Sequence, residues 1–196
     1  MAKINEVTFY DGAENKMQRL GLQPLVKEVQ GLIEATKILL LEKRRKGSES
    51  YNGAAWVREL LDATFQQTGT WTPKRSGDID WTKCKIVNGT RVCVGVEIQI
   101  SARDEMLYKD ILHLKTRLIS GDIDLGIIVV PSDRLQSYLP DRTPCISYAR
   151  KVVQEQDADR LPIILIEMEH DGPGPALGKK TTNRGGGRIT PEEFGH

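Results

Sequence analysis

The clearest pattern in the chain is an alternation of apolar and polar residues that ends near residue 101. The dipeptide Asn88-Gly89 precedes it, and another strand-like run precedes the dipeptide. Asn-Gly is a strong hairpin signal because both central residues of a type I′ turn take positive φ. We therefore predict an antiparallel hairpin over about residues 76–101. The apolar positions of its second strand are Val92, Val94, Val96, Ile98 and Ile100.

Other segments show helical spacing or continuous apolar runs. Helical spacing predicts helices over residues 23–46, 53–67, 102–119 and 145–156. The apolar runs 125–130 and 163–166 are typical of strands buried on both faces.

The order of these elements predicts an α/β fold. Its mixed central β-sheet would combine the antiparallel hairpin with parallel crossover strands, flanked by helices. We assign residues 1–170 to one domain. Residues 171–196, rich in Gly, Lys and Arg, are predicted to form a C-terminal arm or an irregular segment.

Composition is that of an ordinary globular protein, and the net charge of +1 gives no support by itself to nucleic-acid binding. The N-terminal residues lack the apolar run of a signal peptide, and no segment is long enough to cross a membrane. We therefore expect a cytoplasmic protein. The hairpin register sets Cys84 opposite Cys93, so a disulfide is conceivable. The odd number of cysteines favours the reduced form.

The hairpin register also sets Asp80 opposite Glu97 and Asp78 opposite Gln99, with all four side chains on one face. Directly opposed carboxylates repel each other unless a cation lies between them. This spacing predicts a metal site. The alternative is that the polar residues form the solvated face of a half-buried strand. A bulge in the hairpin would also shift the register by one residue.

The order of Asp80, Glu97-Ile98-Gln99, a helix and a buried strand resembles the PD-(D/E)XK nuclease superfamily. Asp-x-Asp-Trp followed by Glu-x-Gln-x-Ser is similar to the BglII/BstYI subgroup of type II restriction endonucleases, in which glutamine replaces the usual lysine. The similarity covers about residues 20–170. The sequence departs from the superfamily pattern in one respect, because Pro73 is too distant from Asp80 to form a Pro-Asp dipeptide.

This resemblance implies magnesium-dependent hydrolysis of double-stranded DNA within a short palindrome, with a GATC centre as one possibility. Asp80, Glu97 and the backbone carbonyl of Ile98 would bind Mg²⁺, for which Mn²⁺ is a possible substitute. The cation would activate water for attack on the phosphodiester. Gln99 would orient that water, since an amide can donate and accept hydrogen bonds but carries no charge.

Asp78 and Glu59 are secondary candidates for the site. A homodimer is implied, because cutting both strands of a palindrome requires two active sites. The chemistry does not require His113, and Trp81 is assigned to the core. The candidate DNA-binding residues are Ser101, Arg103, Lys109, Arg134 and Arg142.

Two other functions remain open at the level of sequence. One is a structure-specific repair or recombination nuclease with the same core, a class that usually keeps the lysine. The other is a DNA-binding module that does not cut, against which the retention of Asp80 and Glu97 argues.

Overall fold

The structure is a computed structural model, which describes residues 1–40, 53–74, 78–140 and 142–173. Its strands and helices alternate along the second half of the chain. The strands are β1 (Lys3–Phe9), β2 (Leu39–Leu40), β3 (Thr72–Pro73), β4 (Trp81–Val87), β5 (Thr90–Ile98), β6 (Leu125–Pro131), β7 (Ile163–Glu169) and β8 (Gly172–Pro173). The helices are α1 (Ala13–Arg19), α2 (Gln23–Ala35), α3 (Ala54–Gln67), α4 (Glu105–Ser120), α5 (Asp133–Gln136) and α6 (Ile146–Glu155), with a 3₁₀ turn at Ala158–Arg160.

Six strands form one mixed sheet in the order β1-β7-β6-β5-β4-β3. β5, β6 and β7 are parallel, whereas β1, β3 and β4 pair with their neighbours in antiparallel fashion. Helices α4 and α6 connect the parallel strands, as the apolar runs and helical spacings predicted. The α/β fold class with a mixed, helix-flanked sheet is therefore confirmed.

The predicted hairpin register is confirmed by the β4–β5 ladder, in which Trp81 pairs with Val96 and Val87 pairs with Thr90. Asn88 and Gly89 both have positive φ, as a type I′ turn requires. The register has no bulge between these residues. Apolar residues of both strands can therefore be assigned to the two faces of the sheet.

Both faces of the sheet are covered by helices. Val94, Val96 and Ile98 pack with side chains of α2 and α3 in one core. Cys93 lies on the opposite face in a second core, which contains apolar residues of α4 and α6. The alternative interpretation, a solvated face on the second strand, is therefore wrong, since α4 covers the face to which Glu97 belongs.

The first long helix is shorter than predicted. α2 ends at Ala35, and Thr36 has an extended backbone conformation with φ −74° and ψ 126°. Leu39–Leu40 then pairs in parallel with Gly172–Pro173. The apolar residues after Ala35 therefore join a strand and the core rather than a helix. Residues 41–46 of the predicted helix lie outside the described residues.

An edge strand was missed altogether. β1 pairs with β7 through partners such as Lys3 and Glu169, and its register shifts between Ile4 and Glu6. Its alternation is weak because all seven of its residues are exposed or half-buried at the sheet edge.

The preference for reduced cysteines is also wrong for the hairpin pair. Cys84 and Cys93 pair across β4 and β5 and are joined by a disulfide. The register places the two side chains side by side, which a count of cysteines cannot take into account. Cys145 is free.

None of the described helices is long and apolar enough to cross a membrane. Of the predicted C-terminal segment 171–196, residues 171–173 are described and contribute β8. Residues 174–196 lie outside the described part of the chain.

Candidate active site

Asp80 and Glu97 meet where β4 begins and β5 ends. The backbone N–H of Asp80 donates to Glu97 Oε2 at 3.2 Å, and the N–H of Ile98 donates to Asp80 Oδ2 at 2.9 Å. The two residues are only 3% and 1% exposed. Two acidic side chains removed from water at this distance require cations or protons to offset their charge.

Two cationic side chains bind Asp80 from outside the hairpin. Arg58 Nη2 lies 2.9 Å from Oδ2, and Lys74 Nζ lies 2.8 Å from Oδ1. The other terminal nitrogen of the Arg58 guanidinium donates to the carbonyl oxygen of Ile98. Both Asp80 oxygens and the Ile98 carbonyl thus already contact positively charged groups.

The Arg58 side chain is held from behind. Its Nε donates to Asp62 Oδ2 at 2.8 Å, one turn further along α3. The other carboxylate oxygen of Asp62 accepts from the Trp81 indole N–H at 2.9 Å. Trp81 itself is buried and stacks on Phe65, so its predicted place in the core is confirmed.

These contacts move the pKa values of the two carboxyls in opposite directions. Burial opposes ionisation of Asp80, yet Arg58 and Lys74 hold its pKa below the usual value. Burial and the negative charges of Asp80 and Asp110 raise the pKa of Glu97 well above the ordinary glutamate value. In the metal-free protein Glu97 is therefore the carboxyl that retains its proton.

Gln99 is buried at the edge of the same cleft. Its amide Nε2 donates to Ser101 Oγ at 2.9 Å and to the Arg103 carbonyl at 3.3 Å. Ser101 Oγ also donates to the Arg103 carbonyl. The amide orientation of Gln99 is thus fixed by the turn that precedes α4.

Helix α4 contributes two further residues to the site. His113 Nδ1 lies 3.3 Å from Glu97 Oε1, and Asp110 is 7% exposed beside the cleft. Burial and the charge of Asp80 raise the pKa of Asp110 to about 7. Burial and the positive charges of Lys109 and Lys74 lower the pKa of His113, which favours the neutral imidazole.

Asp78 does not lie opposite Gln99. It forms an ion pair with Arg117 of α4 at 2.7 Å, and its Oδ1 accepts the N–H of Ile79. The β4–β5 ladder stops at Trp81, and the backbone of Asp80 instead bonds to Lys74. The chain therefore leaves the hairpin before Asp78, and the predicted pairing of Asp78 is wrong.

A cleft of about 500 Å³ opens over Asp80 and Gln99. Its walls come from the start of α3 and from the segment between β5 and α4. The lining residues that were predicted from the sequence are Glu59, Asp80, Gln99, Ser101 and Arg103, and those that were not are Arg58, Lys74, Met106 and Asp110.

The remaining candidate DNA-binding residues lie farther from the carboxylates or at the rim. Lys109 is exposed on α4. Arg142 pairs with Asp104 and Glu105, both at 2.6 Å. Arg134 is exposed on α5 and lines a different, polar cavity of about 360 Å³.

The donor set fits a hard divalent cation. Asp80 Oδ2 and the Ile98 carbonyl oxygen are oxygen ligands of the kind that Mg²⁺ prefers, and the guanidinium of Arg58 already binds both. Glu97 supplies a further carboxylate within hydrogen-bond distance of the Asp80 backbone. A cation at this position would relieve the repulsion between the carboxylates.

Sequence reasoning missed Arg58, Lys74 and Asp110, and it set His113 aside as unnecessary for the chemistry. The i,i+4 spacing of Arg58 and Asp62, and the i,i+3 spacing of Asp110 and His113, were the available signals. Such spacings occur on many solvated helix faces, so they become informative only when the partner strand is known. Lys74 gives no sequence signal at all.

Comparisons with known protein families and with solved structures match this chain to the same kind of protein. A family model for the restriction endonuclease BglII/BglIII matches residues 6–168. Among solved structures, the crystal structure of restriction endonuclease BglII complexed with a DNA 16-mer matches with a TM-score of 0.56 and 17% sequence identity. That match covers 84% of this chain and 75% of the other. A search of curated proteins found no match.

Proposed function

Because the chain belongs to the BglII/BglIII restriction endonuclease family and is thus a site-specific DNA endonuclease, we propose that it cuts both strands of a short palindrome in a magnesium-dependent reaction. A target with GATC at its centre is one candidate. The observation that supports this most directly is the buried pair Asp80 and Glu97 beside the Ile98 carbonyl.

Asp80, Glu97 and the Ile98 carbonyl oxygen would hold Mg²⁺, with Mn²⁺ as a possible substitute. The cation supplies a Lewis acid that activates water and offsets negative charge on the reacting phosphate. In the metal-free protein, Arg58 and Lys74 keep Asp80 ionised and in position. Asp78 pairs with Arg117 instead, which argues against a ligand role for that residue.

Gln99 would orient the attacking water. Its amide is held by Ser101 and the Arg103 carbonyl through Nε2, so the amide plane has a fixed direction at the cleft. A neutral amide held in a fixed orientation contributes by positioning the water molecule, which lowers the entropic cost of bringing that water to the phosphate. Glu59, at the cleft wall, is a secondary candidate for the same site.

The substrate would be double-stranded DNA. Arg58, Lys74 and Arg103 line the cleft, and their positive charges suit the approach of a phosphodiester backbone. Ser101, Lys109, Arg134 and Arg142 are the further candidate contacts, of which Arg142 would have to leave Asp104 and Glu105 to reach DNA. Two active sites related by two-fold symmetry, and therefore a homodimer, would match a palindrome.

The test is digestion of unmethylated plasmid DNA with MgCl₂ by the wild type and by Glu97→Gln, followed by sequencing of the fragment ends. We expect discrete fragments that share one palindrome with the wild type, and a loss of cleavage of at least about 10³-fold with the variant, since a metal ligand is removed. Glu169→Gln is the matched control, because Glu169 is also a buried glutamate but lies at the end of β7.

Other outcomes would identify other functions. Ends found only at branched or damaged DNA would indicate a structure-specific nuclease. No cleavage with either Mg²⁺ or Mn²⁺, together with retained DNA binding, would refute the proposed reaction and leave a binding module.

A further inference from the structure

Asp110 and His113 lie one turn apart on α4, on the face that packs against β5. Residues at i and i+3 of a helix are neighbours, and a carboxylate-x-x-histidine pair presents one oxygen and one nitrogen to the same point. Ligand atoms of Asp110, His113 and Glu97 all lie within 4.8 Å of one another. The helix thus adds two ligand-type side chains to a carboxylate of the active site.

Asp110 has no partner that would explain its burial. It is 7% exposed, and among the described residues its carboxylate makes neither a hydrogen bond nor an ion pair. It lines the cleft above Asp80. A carboxyl group held largely away from water, with no hydrogen bond from the protein, is costly, so natural proteins seldom keep one without a ligand or a catalytic use.

The two carboxylate oxygens of Glu97 contact different neighbours. Oε2 accepts from the Asp80 backbone N–H at 3.2 Å, whereas Oε1 lies 3.3 Å from His113 Nδ1. The carboxylate therefore faces Asp80 with one oxygen and α4 with the other. This geometry allows one carboxylate to serve two neighbouring sites.

We propose that Glu97, Asp110 and His113 form a second divalent-cation site, which shares Glu97 with the site of Asp80 and Ile98. The inference rests on the proposed function, because Glu97 would be common to both sites. An imidazole ligand favours transition-metal ions, while Mg²⁺ requires oxygen ligands and keeps most of its water. The second site would therefore take Mn²⁺, Co²⁺ or Zn²⁺, and the first would take Mg²⁺.

The experiment measures Mn²⁺ binding to the full chain without DNA, by titration calorimetry and by electron paramagnetic resonance. The wild type is expected to bind two Mn²⁺ per chain, with a broadened spectrum because the two ions lie close together. The variants His113→Gln and Asp110→Asn are each expected to bind one Mn²⁺ per chain and to give the resolved spectrum of an isolated ion. Asp80→Asn should likewise lose one ion, and Glu97→Gln should lose both.

His170→Gln is the matched control, since His170 Nε2 lies 3.3 Å from Glu169 Oε1 in a pair remote from β5. That variant should still bind two Mn²⁺. A wild type that binds one Mn²⁺, which Asp80→Asn loses and His113→Gln retains, or a His113→Gln variant that binds two, would overturn the second site and leave the first intact. Retention of both ions by Asp80→Asn would instead refute the first site, and with it the proposed function. A wild type without any bound Mn²⁺ would overturn both.

Discussion

At the scale of single residues, the site is a balance between buried negative charge and the cations that offset it. Asp80 contacts Arg58 and Lys74, whereas Glu97 faces Asp80 and a histidine. Asp80 is therefore ionised and Glu97 is protonated before any metal enters. The two carboxyls have similar burial, so the difference arises from their neighbours.

The raised pKa of Glu97 makes stability depend on pH. A carboxyl whose folded-state pKa exceeds its unfolded value of 4.5 stabilises the fold fully below pH 4.5 and loses that contribution as pH rises. Compared with Glu97→Gln, the free energy of unfolding of the wild type should fall by roughly 4 kcal/mol between pH 5 and pH 8, since each pH unit in this window costs about 1.4 kcal/mol. Urea unfolding at both pH values, in the presence of a chelator, measures this free energy for the wild type and the variant. A difference between the two proteins that is independent of pH would contradict the raised pKa of Glu97. Glu59→Gln is the control, because Glu59 is an exposed glutamate.

Arg58 occupies the oxygen atoms that a cation would bind, so Arg58 and the cation should compete for these atoms. Arg58→Met is expected to tighten Mg²⁺ binding by roughly tenfold, because a positive charge leaves the site. The metal-free variant should also lose on the order of 2 kcal/mol of stability, since Asp80 loses one partner. Calorimetry and thermal melts measure the two effects. Arg117→Met is the control: it breaks the partly exposed pair with Asp78 and should leave the Mg²⁺ affinity unchanged. If Arg58→Met also bound Mg²⁺ with the affinity of the wild type, Arg58 would not compete with the cation.

At the scale of elements, the ends of β4 and β5 position the site, and the packing beneath them fixes those ends. Gly95 pairs with Thr82 on one side and with Gly126 on the other. A Cβ at Gly95 would lie 2.9 Å from Ile123 Cδ1 and 3.0 Å from Ile79 Cδ1. Ile79 directly precedes Asp80, so this close approach connects the core to the strand end that carries Asp80.

Gly95→Ala is therefore expected to cost about 1–3 kcal/mol of stability, as overpacking in a filled core does. Gly126→Ala is the matched control, because its Cβ would approach neighbouring side chains no closer than 3.4 Å. Chemical denaturation of both variants measures the difference. If the two substitutions were equally costly, the contact with Ile79 and Ile123 would not be the cause.

At the scale of the whole molecule, the site forms where two helical layers meet one end of the sheet. α3 supplies Arg58 from one face, and α4 supplies Asp110 and His113 from the other. The hairpin alone holds Asp80 and Glu97 but none of the surrounding side chains of Arg58, Lys74, Asp110 and His113. The complete site thus depends on packing of both layers against the sheet.

A homodimer with two sites should cut both strands in one binding event. We expect sedimentation analysis to give a dimer, and supercoiled plasmid to become linear without accumulation of nicked circles. Mixed dimers of wild-type and Glu97→Gln chains should instead accumulate nicked circles, since one site remains active. A monomer whose main product is nicked DNA would disprove the paired arrangement.

The sequence by itself determined the elements whose signals are local. The Asn88-Gly89 turn fixed the hairpin register, because a two-residue loop leaves one pairing for every later residue. The apolar runs at residues 125–130 and 163–166 identified buried parallel strands, since a strand covered on both faces needs no polar positions. These two facts, with the spacing of Asp80 and Glu97, were sufficient to predict the fold class and the central carboxylates.

Only the tertiary structure decided which side chains surround those carboxylates. Arg58 bonds to a carbonyl 40 residues later, and His113 reaches a glutamate 16 residues earlier, across a helix–strand interface. No local pattern encodes such contacts, because they depend on the angle and depth at which each helix packs on the sheet. The same reason explains the errors at Asp78, where the chain leaves the hairpin, and at α2, where pairing with β8 replaces further helix.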